Sequence, residues 1–185
     1  YKTRAEMIRE KGTNRSQFLR GEIDKYTWYD VGSSYLPSEL TAAFLYAQLQ
    51  DIEGITKARL AIWDYYYKLF SEHEMTDLFS LPTVPQGNTH NGHIFYLILS
   101  ETISRNKILE RLKNKGIYAT SHYEPLHSSP AGQKYGRLSG EMHHTDSLSK
   151  QIIRLPLWIG LERAQQEYIA EELVQLLNVG YGCVI

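Results

Sequence analysis

The sequence predicts an α/β fold, a short sheet of about three strands with helices packed over it. Two observations carry this. The runs His93 to Leu99 (HIFYLIL) and Ile152 to Leu157 (IIRLPL) are short, nearly continuous and apolar, as covered strands are. Segments with apolar residues at helical spacing lie before, between and after them, so helices and strands alternate. With 185 residues and 42% hydrophobic content, the chain can bury one substantial core.

The first element is a charged helical pattern, TRAEMIREKG, ending at Gly12 in a C-cap position. A first residue of Tyr1 suggests a piece of something longer. Residues 13–37 are polar, aromatic and glycine-punctuated without a sustained period, which predicts an extended ordered loop of the long kind that is often functional. Ser38 is placed to cap the helix after Pro37. Apolar residues then recur at Leu40, Ala43, Phe44, Ala47, Ile52, Ile55, Leu60, Ile62, Trp63, Tyr66, Tyr67 and Phe70, which predicts one long helix bent near Gly54. Its apolar residues occupy more than one face, so it is expected to pack against its own domain and a second body, a dimer partner or a missing domain. The expected division is therefore residues 1–37, a helix and interface loop, and residues 38–185, a linking helix and α/β domain.

After a Pro- and Gly-rich connection comes the first predicted strand, His93 to Leu99. Ile103 to Lys115 carries Ile108, Leu109 and Leu112 on one helical face and stops at Gly116, and Gly116 to Ser121 is the next strand. This succession is a βαβ-like or split unit. Ser128 to His144 reads as loop, Asp146 to Gln151 as a short helix, and Ile152 to Leu157 as a strand broken by Pro156. The last helix starts near Glu162, carries Ala164, Tyr168, Ile169, Leu173, Leu176 and Leu177 on one face, and is expected to stop before Gly180.

The formal charge is -1, from 20 basic and 21 acidic residues, and offers no broad attraction to nucleic acid or an anionic membrane. A single cysteine, Cys183, permits neither an intramolecular disulfide nor a cysteine-rich zinc site and points to a reducing compartment, the cytoplasm. No apolar run approaches the roughly 20 residues that span a bilayer, and no basic-then-apolar leader opens the chain. A soluble protein is expected.

The densest chemistry lies in GIYATSHYEPLH, Gly116 to His127, where a strand delivers His122, Tyr123 and His127 into a proline-containing loop. Paired carboxylates, Gly-rich phosphate loops and a Gly-x-Ser-x-Gly elbow are not recognisable. Zinc is disfavoured by spacing: His122 and His127 lack the i, i+4 helical relation, and the adjacent His143 and His144 diverge on a regular backbone. An anionic ligand fits better. His122, Tyr123, His127, Lys25, Tyr26, Arg20 and Arg15 supply donors suited to phosphate oxygens.

Three blocks in order carry a resemblance. GSSYLPSELTAAF, Gly32 to Phe44, continuing to Gln48 and Leu49, resembles the Gly-x-Asn-Tyr-Arg-x-x-Glu-x-x-Ala-Ala block of the DegT/DnrJ/EryC1/StrS family of sugar-nucleotide aminotransferases. GIYATSHYEPLHSSP and RLPLWIGL resemble the same family's later blocks, so the likeness extends from about Arg4 to Leu177. The wording from Arg9 to Leu40 is most similar to the branch that forms dTDP-4-amino-4,6-dideoxygalactose. That branch implies pyridoxal phosphate as cofactor, glutamate as amino donor and dTDP-4-keto-6-deoxyglucose as acceptor.

The family's members are fold-type I homodimers with active sites at the subunit interface, and this chain resembles their C-terminal half, the small domain preceded by the end of the large one. The resemblance implies that Ser34, standing where much of the family has Asn, donates to the cofactor phosphate of the other subunit. Leu36 replaces an Arg and cannot donate. His122 and Tyr123 are implied as pyrophosphate or sugar contacts, Lys25 and Tyr26 as residues reaching the partner's site, and His127 as a weaker contact or brace. Arg154 reads as one half of a buried structural pair. None of the ten lysines stands in a motif like that of the cofactor lysine, which belongs to the upstream half, so this polypeptide alone is expected to be inert. The competing expectation is a non-catalytic module that binds sugar nucleotide or protein; a zinc enzyme is the third.

Overall fold

The computed structural model describes residues 1–73 and 77–181, and the chain divides into two units, Tyr1–Ile52 and Glu53–Ile185. Cys183 lies outside the described residues.

In the first unit, α1 (Lys2–Arg9) ends as the backbone turns left-handed at Lys11 (φ 62°) and Gly12 (φ 77°). The stretch read as loop holds one short helix, α2 (Arg15–Leu19), too brief to show a period. Asn14 precedes it without capping it; its Oδ1 accepts from the Thr27 amide at 2.7 Å, tying the two ends of the loop. Ser38 caps α3 (Glu39–Gln50), its Oγ accepting from the Thr41 amide at 3.2 Å. The predicted single long helix is two. The break falls at Asp51, whose φ of -117° and ψ of 29° leave the helical region, whereas Gly54 lies inside α4 (Ile52–Ser71). Leu40, Phe44, Leu45, Tyr46 and Leu49 of α3 are all exposed.

The second unit is built on a four-stranded antiparallel sheet: β1 (Phe79–Ser80), β2 (Phe95–Leu99), β3 (Thr120–Ser121) and β4 (Ile152–Leu155), in the order β1-β2-β4-β3. The additional strand, β1, has two residues and so no period to read. β2 and β3 run parallel to each other with β4 between them, which is the split form of the predicted unit. β3 is shorter than expected because the residues before it finish α5 (Arg105–Asn114). Gly116 adopts φ 78°, and the Ile117 amide donates back to the Leu112 carbonyl at 2.9 Å.

One further helix lies in the stretch read as loop, and the predicted short helix follows it. Ser129 caps α6 (Pro130–Tyr135), with proline at the start where its missing N–H costs nothing, and α7 (His143–Gln151) begins three residues earlier than expected. The last helix, α8 (Arg163–Tyr181), runs through Gly180 instead of stopping before it.

Phe95, Leu97 and Leu99 of β2 and Ile153 and Leu155 of β4 point to one face of the sheet and are buried there with Ile62, Tyr66 and Phe70 of α4, Leu112 of α5, and Leu173 and Leu177 of α8. The alternation is complete: Tyr96, Ile98, Ile152 and Arg154 lie on the other face, half-buried. Polar groups in the core are satisfied locally, Tyr66 donating to the Pro156 carbonyl at 3.1 Å and Gln166 Nε2 to the Ile62 carbonyl at 2.8 Å. Among the described residues no helix is long and apolar enough to cross a membrane.

Candidate functional site

The loop of the first unit is held by close backbone approach. The amides of Tyr29 and Asp30 both donate to the Gly12 carbonyl, at 2.7 and 3.0 Å, and a Cβ on Gly12 would stand 1.7 Å from the Asp30 carbonyl oxygen. Ser34 is fixed alongside the end of α1 by its neighbours: the Ser33 amide donates to the Ile8 carbonyl at 2.9 Å and the Tyr35 amide to the Arg9 carbonyl at 3.3 Å. The sequence thus folds the loop back so that Ser34 faces Glu10 across an isolated antiparallel bridge.

This fold-back forms a cavity of about 340 Å³ whose walls include Arg9, Lys11, Arg15, Tyr26 and Ser34. Glu10 and Glu39 also line it; Glu10 Oε1 is 3.7 Å from Arg9, whereas its Oε2 is shut off from water without a partner. The lining thus sets three cations against two carboxylates, with the hydroxyls of Thr13, Tyr26 and Ser34 beside them, a set of donors that can take an oxyanion of phosphate size. Of the residues expected from sequence, Tyr26, Ser34 and Arg15 meet here. Lys25 is exposed, does not line the cavity, and makes no hydrogen bond or ion pair among the described residues. Arg20, expected among the anion donors, is committed elsewhere: Glu22 at 2.6 Å and Glu6 at 3.1 Å engage it, and those hydrogen bonds hold its pKa above the ordinary value. Arg9 and Lys11 were not singled out in the sequence, because they read as the polar end of a helix; only the fold-back turns them toward the loop.

In the second unit the residues after β3 form an exposed polar edge. His122 and Tyr123 are both exposed, their rings edge-on with centroids 5.3 Å apart. His127 lies in the 3-10 turn Leu126–Ser128, and its Nε2 is 2.8 Å from Oδ1 of Asp146 in α7. It therefore ties the loop to a helix. His143 turns instead to Glu141, at 2.6 Å. No three His, Cys, Asp or Glu side chains among the described residues are grouped to hold a metal ion.

Arg154 is the correction here. It does not form the buried structural pair expected of it: the side chain is half-buried, its Nε is shut off from water without an acceptor, and among the described residues it has no hydrogen bond or ion pair.

The sequence model of the DegT/DnrJ/EryC1/StrS aminotransferase family matches residues 1–174. The chain belongs to this family. Members of the DegT/DnrJ/EryC1/StrS family are pyridoxal-phosphate-dependent sugar aminotransferases. Among curated relatives, a dTDP-4-dehydro-2,3,6-trideoxy-D-glucose 4-aminotransferase of Saccharopolyspora spinosa is 25% identical over 162 residues, 88% of this chain and 38% of its own length. A pleiotropic regulatory protein of Geobacillus stearothermophilus is 25% identical over 158 residues, 85% of this chain and 41% of its own.

Solved structures share the fold. The Helicobacter pylori PseC, an aminotransferase of pseudaminic acid biosynthesis, superposes with a TM-score of 0.77 at 17% identity, covering 94% of this chain and 45% of its own. The aminotransferase TlmJ from Streptoalloteichus hindustanus gives 0.76 at 19% identity, covering 97% and 45%. The chain thus spans about two fifths of the length of the curated relatives it matches.

The residues present fit one end of the family's cofactor. The cavity beside Ser34 offers a phosphate three cations and three hydroxyls, partly offset by the carboxylates of Glu10 and Glu39. A lysine that forms a Schiff base must be shielded so that its neutral form is populated, and all ten lysines are exposed.

Proposed function

We propose that this chain is the C-terminal part of a pyridoxal-phosphate-dependent sugar-nucleotide aminotransferase that passes an amino group from glutamate to dTDP-4-keto-6-deoxyglucose. The observation that carries it is the cavity of the first unit, where Arg9, Lys11, Arg15, Tyr26 and Ser34 surround a space suited to a phosphate. The electron sink that transamination requires comes from the cofactor. The chain's own residues bind and orient. Ser34 donates to the cofactor phosphate, and the neighbouring cations neutralise its charge. Lys25 and Tyr26 extend from the same loop toward the sugar nucleotide of a partner subunit. His122 and Tyr123 contact the pyrophosphate or sugar, and His127, held by Asp146, keeps their loop in place.

In this reading residues 1–37 close the large domain and residues 38–185 form the linking helix and small domain of a cytoplasmic homodimer. The apolar residues that α3 leaves exposed, Leu40, Phe44, Leu45 and Leu49 among them, supply the contact surface. The 185-residue chain alone is inert, because the chemistry needs a shielded lysine. Incubation with pyridoxal phosphate, borohydride reduction and peptide mapping test this. The expected map has no stoichiometrically modified lysine; one lysine labelled to completion overturns the inertness. Supplying the upstream half and assaying glutamate-dependent amination of dTDP-4-keto-6-deoxyglucose tests the activity, which is expected only with both halves present.

A further inference from the structure

The cavity of the first unit holds a group that the phosphate reading leaves unused. Glu10 is one of its walls, and its side chain is only 9% exposed. Neither carboxylate oxygen receives a hydrogen bond from the described residues: Oε1 stands 3.7 Å from the Arg9 guanidinium, beyond hydrogen-bonding reach, and Oε2 is closed to water without a partner. A carboxylate only accepts, so one that is buried and unpaired against a cavity calls for a donor lodged in that cavity. Charge points the same way. Arg9, Lys11 and Arg15 are set against Glu10 and Glu39, with Tyr26 the other titratable side chain of the lining, which leaves the walls one positive charge. That charge balances a monoanion and falls short of a dianion.

An oxyanion with no proton would set its own acceptors against Glu10, whereas a phosphate that keeps one proton carries a single negative charge and an O–H to donate. We infer that Glu10 makes this cavity selective for a phosphate monoester held as its monoanion, the P–O–H donating to the Glu10 carboxylate while the cations and hydroxyls donate to the remaining oxygens. A phosphate esterified on both sides, as in the pyrophosphate of a sugar nucleotide, has no such proton. Sulfate has neither the proton nor the matching charge. The inference rests on the phosphate reading of the cavity, and it assigns the space to a terminal phosphate.

The test uses the complete polypeptide that carries this chain, freed of cofactor, and calorimetric titration at about pH 5.5, below the second phosphate pKa of about 6, so that a monoester keeps its proton. Methyl phosphate has the O–H; dimethyl phosphate has the same charge without it. At matched ionic strength methyl phosphate is expected to bind about tenfold to hundredfold more tightly than dimethyl phosphate or sulfate. Equal or tighter binding of either competitor overturns the role of Glu10 and leaves the phosphate reading standing. No binding of methyl phosphate overturns that reading and the inference together. Glu10→Gln, whose amide donates as well as accepts, is expected to erase most of the preference, and a preference kept in full by the folded variant overturns the proposal. If that variant does not fold, the wild-type comparison still decides. Arg15→Gln is expected to weaken methyl phosphate binding; an unchanged affinity puts the anion outside this cavity and overturns the assignment.

Discussion

Gly32 approaches Gly12 so closely that a Cβ on it would stand 2.0 Å from the Gly12 amide nitrogen. Gly12 in turn sits at φ 77° with the Asp30 carbonyl pressed against the place a Cβ would take. This contact folds residues 13–37 back along α1 and so makes the cavity. Replacing either glycine by alanine is expected to cost about 1–3 kcal/mol in strain and to release the loop. Urea midpoints and tryptic cleavage at Arg15, Arg20 and Lys25 measure it; unaltered midpoint and cleavage in Gly32→Ala would count against the knot.

The hydrogen bond between His127 and Asp146 joins the loop after β3 to α7. His127→Ala and Asp146→Ala are each expected to lower stability by about 1 kcal/mol, and the double variant to lose little more than either, since both remove one interaction. A thermal-melt cycle of the four proteins reads the coupling. Strict additivity would show that the contact carries no stability.

In the complete enzyme His122→Ala is expected to raise the KM for the acceptor sugar nucleotide with a smaller change in kcat, because the proposed role of this exposed imidazole is to bind and not to react. Steady-state kinetics with the sugar nucleotide varied decide it. An unaltered KM removes His122 from the substrate grip.

Burial pushes the Tyr66 phenol above its ordinary pKa of about 10, since the folded core disfavours the phenolate. The sign follows. Below the unfolded value both states hold the proton and the full stability is present; as pH rises past it the unfolded chain ionises first and stability falls. Wild-type protein is therefore expected to lose stability above about pH 10 more steeply than Tyr66→Phe. At neutral pH that variant gives up about 1 kcal/mol, because the Pro156 carbonyl loses its donor. Denaturant midpoints between neutral and alkaline pH test both limbs, and parallel alkaline profiles would refute the assignment.

Much of the second unit was legible in the sequence because its signals are local. His93 to Leu99 and Ile152 to Leu157 announced β2 and β4, and the periods of Ile108 with Leu112 and of Ile169 with Leu173 announced α5 and α8. Where a short-range cue was missing, the reading stopped: β1 has two residues, α6 hangs on one serine cap, and the break at Asp51 has no proline or glycine to mark it.

The sequence by itself determined the alternation of helices and strands, the family through three ordered blocks, and the presence of donors for an anion. Tertiary structure alone decided which donors are free. Arg20 and Arg154 are the same residue type, yet one, read as a free anion donor, is committed to Glu22 and Glu6, and the other, read as half of a buried pair, has no side-chain partner among the described residues. A side chain's partners come from segments distant along the chain, and no local pattern encodes that distance.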